Sequence, residues 1–268
     1  LGKYFRLNNL KVTGYYDVNE NLAKEAATFT ETTFIEDLET IVKISDTLFL
    51  TVPDDLITTV WNQMKDMSLE GKFICHCSGA LSAGDAFPGI DKCGAFGYSV
   101  HPLFAVSDKY NSYKELSHAY FVIEGDEKHR EEIAGIFNNL GNEVRYIAAK
   151  DKVKYHCAAA VCSNHVVALI QESLDLMQEC GFDEESALKA LAPIMLGNMQ
   201  HIAERGTVNS LTGPVERADV KTVEKHLNCL DEKQQMIYRL LSEVLISIGE
   251  KKNPGRDYGR LKHILGNE

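Results

Sequence analysis

The sequence contains no G-x-G tripeptide in its 268 residues and no Gly-Lys-Ser or Gly-Lys-Thr loop. The usual glycine-rich phosphate cradles are therefore missing from this stretch of chain. There is no run of about 18 apolar residues, so no bilayer-spanning segment is expected. Residues 1–25 contain Lys and Asn but no apolar core of a secretory signal, and none is expected. Basic charge is also scarce, with 28 Lys and Arg against 39 Asp and Glu and a net charge of −11. Lys150-Asp151-Lys152-Val153-Lys154 and Glu250-Lys251-Lys252 are short and mixed with acids. With no segregated basic patch, no nucleic-acid partner is expected. Cysteine is an odd seven, largely in apolar runs such as Phe73-Ile74-Cys75-His76-Cys77. That pattern reads as buried reduced thiols in a cytoplasmic protein. The gap between Cys75 and Cys77 is too short for a zinc pair, and no metal-binding set is expected.

What is present is a globular composition, 44% apolar and 25% charged. Strand-like runs alternate with helical ones in the front half: Lys11–Asp17, Thr47–Val52, Lys72–Cys77, Phe96–Val100, Tyr120–Glu124 and Val144–Ile147. Helical spacing falls at Glu20–Ala27, after Pro53 to about Met67, and near Lys128–Leu140. Leu1–Leu7 reads as the middle of an amphipathic helix. Apolar strands separated by helices point to an α/β fold with a mostly parallel sheet covered on both faces. The first strand and its glycine-rich turn are expected ahead of residue 1. From Asp151 to Cys180 helical spacing continues without a breaker, Glu184–Arg205 is helical with a kink or break at Pro193, and Val220–Leu230 and Glu232–Ile248 are helical. The expected organisation is a dinucleotide-binding domain at 1–148 and an all-helical domain at 149–268.

Ligands of open parallel sheets sit at the carboxyl ends of the strands. Asp17 ends a strand and is placed to hydrogen-bond an adenosine ribose, which favours NAD; it reads equally as a turn or cap residue beside Asn19 and Glu20. Val52-Pro53 leads to Asp54-Asp55, whose carboxylates would repel a phosphate and instead cap the helix, leaving the Val52-Pro53 backbone beside a cofactor ring or ribose. Ser78-Gly79 pairs a small hydroxyl with a bare Cα that permits close approach, or forms an ordinary tight turn. His101 at a strand end is a substrate-binding or structural histidine. Lys152, His156, Ser163 and Asn164 fall near one face of the long helix, with Ala159 and Ala160 between them. Ala158, Val161, Cys162, Val166 and Val167 around them suggest a buried helix, where a polar cluster is costly unless it lines a site. Arg217 in Leu211–Asp219 either clamps a substrate anion or pairs on the surface with Glu216 or Asp219.

These residues resemble a known family. Val52-Pro53-Asp54-Asp55, His76 to Ser82, His101-Pro102-Leu103, Lys152 to Asn164 and Leu211 to Asp219 together resemble the bacterial DUF2520 family, over nearly the whole chain. That family joins a Rossmann-like domain to a helical one, and its members are described as NAD(P)-dependent oxidoreductases. The architecture is similar to pyrroline-5-carboxylate reductase, 6-phosphogluconate dehydrogenase and prephenate dehydrogenase, in which the helical domain dimerises and completes the active site. The stretch from His156 to His165 resembles a His/Ser/His helix of prephenate dehydrogenase, but Asn164 departs from it, so that substrate is not carried over. The resemblance implies a homodimer and a nicotinamide cofactor, NAD or NADP.

The resulting expectation is an NAD(P)-dependent oxidoreductase acting on a small polar metabolite. Lys152 or His156 serves as acid or base and Ser163 and Asn164 position substrate. The rival is a non-catalytic protein that senses a dinucleotide or another metabolite.

Overall fold

The computed structural model describes residues 1–266, and the chain divides into two compact units, Leu1–His165 and the residues from Val166 onward. In unit 1 the elements are α1 (Gly2–Leu7), β1 (Gly14–Tyr15), α2 (Glu20–Thr30), β2 (Thr33–Phe34), α3 (Leu38–Ile44), β3 (Thr47–Leu50) and α4 (Asp54–Met64). They continue through β4 (Phe73–His76), α5 (Ala83–Ala86), β5 (Phe96–Leu103), β6 (Tyr120–Gly125), α6 (Arg130–Asn138), β7 (Glu143–Tyr146) and α7 (Lys152–Cys162). The main sheet has the order β3-β4-β5-β6-β7, and β1 and β2 pair separately. All pairs are parallel except β5 with β6. The fold class expected from the sequence, α/β with a mostly parallel sheet, is the one observed. The antiparallel step has a plain cause: only two short 3₁₀ turns lie between β5 and β6, whereas parallel strands need a crossover, usually a helix.

Strand alternation divides the core in two. Leu48, Leu50 and Ile74 face Val42, Ile57, Trp61 and Met64 of α3 and α4. Phe49, Phe73, Cys75, Tyr98 and Val100 face Tyr4 and Phe5 of α1 and Ile133 and Phe137 of α6. Both faces of the sheet are thus covered, and its central strands are mainly apolar. Trp61 is fully buried and donates its indole N–H to Pro88 O at 3.1 Å, so truncation to Ala is expected to cost about 3–5 kcal/mol. Side-chain caps fix helix starts: Asn19 accepts from Asn21 N and Asp37 from Thr40 N.

Unit 2 is helical, with α8 (Asn164–Glu179) entering it, followed by α9 (Glu184–Ser210), α10 (Val220–Cys229), α11 (Glu232–Lys252) and α12 (Gly259–Leu265). Val215, Val223, Leu227, Ile246, Tyr258, Leu261 and Leu265 form its core. Asp183 caps α9, and Asp231 with Gln234 forms a capping box on α11.

Several expectations need correction. Lys11–Asp17 yields only the two-residue β1. The helix from 151 to 180 is not continuous, because Ser163 departs from helical geometry and Asn164 starts α8. Pro193 lies inside α9 without breaking it, whereas Gly206 at φ 74° does break the helix. Glycine tolerates that left-handed conformation, while a proline can be absorbed within a helix when neighbouring turns adjust. The buried helix is also not found: Ala158, Val161, Cys162 and Val167 are exposed and only Val166 is half-buried. Of the cysteines, only Cys75 is buried; Cys77 and Cys93 are half-buried, and Cys157, Cys162, Cys180 and Cys229 are exposed. One stretch, 149–179, is long and apolar enough to cross a membrane by length and composition alone. It contains both the buried Lys152 and the break at Ser163.

Candidate active site at the carboxyl rim of the sheet

The ladder register sets Leu50, His76 and Ser99 side by side on β3, β4 and β5. Immediately beyond them run Val52-Pro53, Ser78-Gly79 and His101, so these predicted residues share one rim. Asp54 opens α4 but does not cap it, contrary to the sequence reading. Its carboxylate instead accepts from Ser78 Oγ at 2.5 Å and ties the start of α4 to the end of β4. Ser78 Oγ also accepts from the backbone N–H groups of Ala80 and Leu81, at 3.3 and 3.0 Å, and this shapes the tight turn.

Lys152, the first residue of α7, is 1% exposed. Its ammonium donates to Ser78 O at 3.2 Å and to Ser99 Oγ, and Ser99 Oγ donates to the same Ser78 carbonyl at 3.0 Å. Glu124 lies opposite Ser99 in the β5–β6 ladder. It is buried and accepts from Ala83 N at 2.8 Å. Burial lowers the Lys152 pKa to about 8, with the carboxylates of Glu124 and Asp54 working in the opposite direction. Burial likewise pushes the Glu124 carboxyl up.

His101 Nδ1 lies 2.8 Å from the Tyr155 hydroxyl. Gly79 is where this geometry demands the absence of a side chain. A Cβ there would come within 2.5 Å of His156 Nδ1 and 2.9 Å of His101 Nε2, closer than van der Waals contact allows. Burial and then the Lys152 charge hold His101 at about 4, and the same two causes hold the buried His76 at about 4. Burial raises Tyr155 to about 12. At neutral pH the site therefore holds neutral His76, neutral His101, a neutral phenol and a largely protonated Lys152. His156 is exposed at the edge of the cluster.

The rim thus gathers Ser78, Gly79, His101, Lys152 and His156, and adds Asp54, Ser99, Glu124 and Tyr155. Two of those additions had faint signals. Glu124 ends an otherwise apolar strand, and Tyr155 lies three residues after Lys152, on the same helix face. Ser163 and Asn164 are exposed and stay with their own helix: Ser163 Oγ donates to Ala159 O at 2.7 Å and to Asn164 Oδ1 at 3.2 Å. The carboxylate of Asp17 accepts from Asn19 N at 2.8 Å, as a turn residue does. Arg217 lies in unit 2 and is exposed, and Glu216 pairs with Arg256 at 2.7 Å rather than with it. Among the described residues no cluster of His, Cys, Asp or Glu could hold a metal ion.

Residues 119–245 match the family described as "Domain of unknown function (DUF2520)". No curated protein matches the sequence. Among solved structures, protein TM1727 from Thermotoga maritima is similar over 93% of this chain and 95% of its own, with a TM-score of 0.74 and 26% identity. An imine reductase from Myxococcus stipitatus in complex with NADP+ is similar over 98% and 94%, with TM-score 0.60 and 17% identity. Pyrroline carboxylate reductase from Plasmodium falciparum, with NADP bound, is similar over 94% and 91%, with TM-score 0.57 and 14% identity. The fold of this chain is Rossmann-like, in agreement with the resemblance read from its sequence.

Proposed function

We propose that this chain is an NAD(P)-dependent oxidoreductase that reduces a small polar substrate bearing a C=N or C=O group. The observation that carries the reading is the convergence of His101, Tyr155 and His156 over Gly79 at the carboxyl rim, with the Lys152 ammonium buried against Ser78 and Ser99. The NADP-bound imine and pyrroline carboxylate reductases of like fold support both the cofactor class and the reaction class.

The residues present fit one end of such a cofactor. Val52-Pro53 and Ser78-Gly79 would hold the nicotinamide and its ribose, because a bare Cα and a small hydroxyl permit close approach. No glycine-rich turn among the described residues serves the diphosphate, and the Asp54-Asp55 start of α4 would repel it. The nicotinamide, when bound, supplies the hydride. His156 gives a proton to the substrate nitrogen or oxygen, so that hydride on carbon and proton on the heteroatom yield an amine or an alcohol. Being exposed, His156 regains that proton from solvent. Neutral His101 and Tyr155 orient the polarised heteroatom through their shared hydrogen bond. Lys152 is a positioning residue, bridging the ends of β4 and β5 and keeping His101 uncharged.

The test is fluorescence titration with NADH and NADPH, followed by turnover assays on cyclic imines, keto acids and hydroxy acids. His156→Gln should leave cofactor affinity intact and lower the rate by about 100-fold or more; an unchanged rate would reject the assignment. Cofactor binding with no turnover across the whole panel would make the chain a dinucleotide sensor. A second copy of the chain belongs to the same proposal, supported by the apolar side chains that unit 2 exposes, among them Ile194, Leu196, Met199 and Leu240.

A further inference from the structure

Among the described residues, Lys152 and Glu124 are the only Lys, Arg, Asp or Glu side chains that are buried. Lysine and glutamate are seldom buried unless paired with opposite charge. The fold brings these two to one place. The ladders set His76, Ser99 and Glu124 in a row across β4, β5 and β6, and side chains opposite one another in a ladder share a face. The Lys152 ammonium, arriving from α7, donates to Ser99 Oγ, so it enters that row beside Glu124.

Two carboxylates act on the ammonium, and their surroundings rank them. Asp54 sits at the exposed start of α4 and is held by Ser78 Oγ at 2.5 Å; water screens an exposed charge. Glu124 is 8% exposed and accepts from Ala83 N at 2.8 Å, at the start of α5. Its charge acts through a less polar medium, where attraction is stronger. Glu124 accordingly does more than Asp54 to hold the proton on Lys152 against burial. The Ala83 N–H and the Lys152 ammonium in turn oppose burial at Glu124, while Asp85 of α5 works against them. His76 and His101 face the ammonium from β4 and β5 as neutral rings.

We propose that Glu124 is a positioning residue for the rim: it is the fixed counter-charge to Lys152, and it fastens the start of α5 beside that charge. Its influence on Lys152 is through charge rather than a shared hydrogen bond, since the ammonium donates to Ser78 O and Ser99 Oγ. Without the carboxylate the ammonium gives up its proton at lower pH, and its bridge between the ends of β4 and β5 weakens with it. The assignment to a reaction rests on the oxidoreductase reading; the pairing of the two buried charges does not.

Glu124→Gln keeps an oxygen for the Ala83 N–H and removes only the charge. In the full chain with isotope-labelled lysine Cε, the Lys152 resonance is assigned by its absence in Lys152→Met. It should titrate about one pH unit lower in the Gln variant than in the parent, and the alkaline fall in turnover should move down with it. Asp91→Asn removes another carboxylate lining the same cleft of about 280 Å³ as Glu124, and should move neither. Should the Gln variant not fold, the reciprocal measurement serves: in Lys152→Met the Glu124 carboxyl should titrate at higher pH than in the parent. The proposal is overturned by a Lys152 titration that is the same in parent and Gln variant, or displaced as far by Asp91→Asn. An unmoved Glu124 carboxyl in Lys152→Met overturns it as well. A displaced Lys152 titration in a chain whose parent turns over no substrate would instead sink the oxidoreductase reading and leave the pairing standing.

Discussion

The two units differ in where they depart from the ordinary rule of burial. Unit 1 buries polar groups: Lys152, Ser78, Ser99, His76 and Glu124 all lie inside. Both units expose large apolar side chains, but unit 2 gathers them mostly on α8, α9 and α11, including Ile194 at 63%, Leu196 at 69% and Leu240 at 58%. A buried polar group persists only where partners repay its lost hydration, and Lys152, Ser78, Ser99 and Glu124 each have such partners. Exposed apolar side chains have no such compensation within the chain, and the second copy proposed above is what would cover them. The first departure therefore points to chemistry and the second to assembly.

The sharpest way to test that contrast is to remove the buried charge. Lys152→Met keeps the length of the side chain but releases Ser78 O and Ser99 Oγ, and turnover is expected to fall about 100-fold through misplacement of the rim. The wild-type rate should decline as pH rises through about 8, where Lys152 loses its proton. The variant, having no such group, should lack that limb, which separates an electrostatic role from a merely structural one. The matching change in unit 2 is Ile194→Glu with Leu240→Glu. Light scattering should show a dimer for the parent chain and a monomer for the double variant; a monomeric parent would dissolve the contrast.

A smaller effect is expected at Gly79→Ala. The new methyl must push His101 and His156 aside, so kcat/KM should drop about tenfold with little change in Tm; an unaffected rate would mean the imidazoles do not meet the substrate. His76 and His101 supply a pH test of stability. Their folded pKa values, about 4, lie below the ordinary value of 6.5. Between those values the unfolded chain binds more protons, so the two histidines' contribution to stability is constant above about pH 6.5 and is lost as pH drops toward 4. Urea midpoints across that range would check the sign. Lys152 acts in the same direction higher up, its burial cost being relieved as pH rises above about 8. The smallest effect belongs to Ser163→Ala, within about 0.5 kcal/mol and without change in rate, because that hydroxyl serves only its own helix.

Much of the rim could be read in advance. Apolar strands followed by Pro53, by Ser78-Gly79 and by His101-Pro102 mark carboxyl ends without any knowledge of pairing. The helix carrying Lys152 and His156 was equally legible. Ser163 and Asn164 were misplaced because helical spacing does not say which length of a face is covered: both are exposed, and the Ser163 hydroxyl donates to Ala159 O of its own helix. Ser99, Glu124 and Tyr155 were missed for a different reason. Whatever faint local signal Glu124 and Tyr155 carry, each of the three gains its role from a partner distant in sequence, as Ser99 does from Lys152, 53 residues away.

By itself the sequence determined the alternation of strands and helices, the two-faced apolar strands and the helical rear half, because these follow from side-chain periodicity and turn chemistry within short windows. Only the tertiary structure decided the antiparallel pairing of β6, the burial of Lys152 and the meeting of His101 and His156 over Gly79. Those depend on which distant backbone and side-chain groups desolvate one another, and no local pattern encodes that.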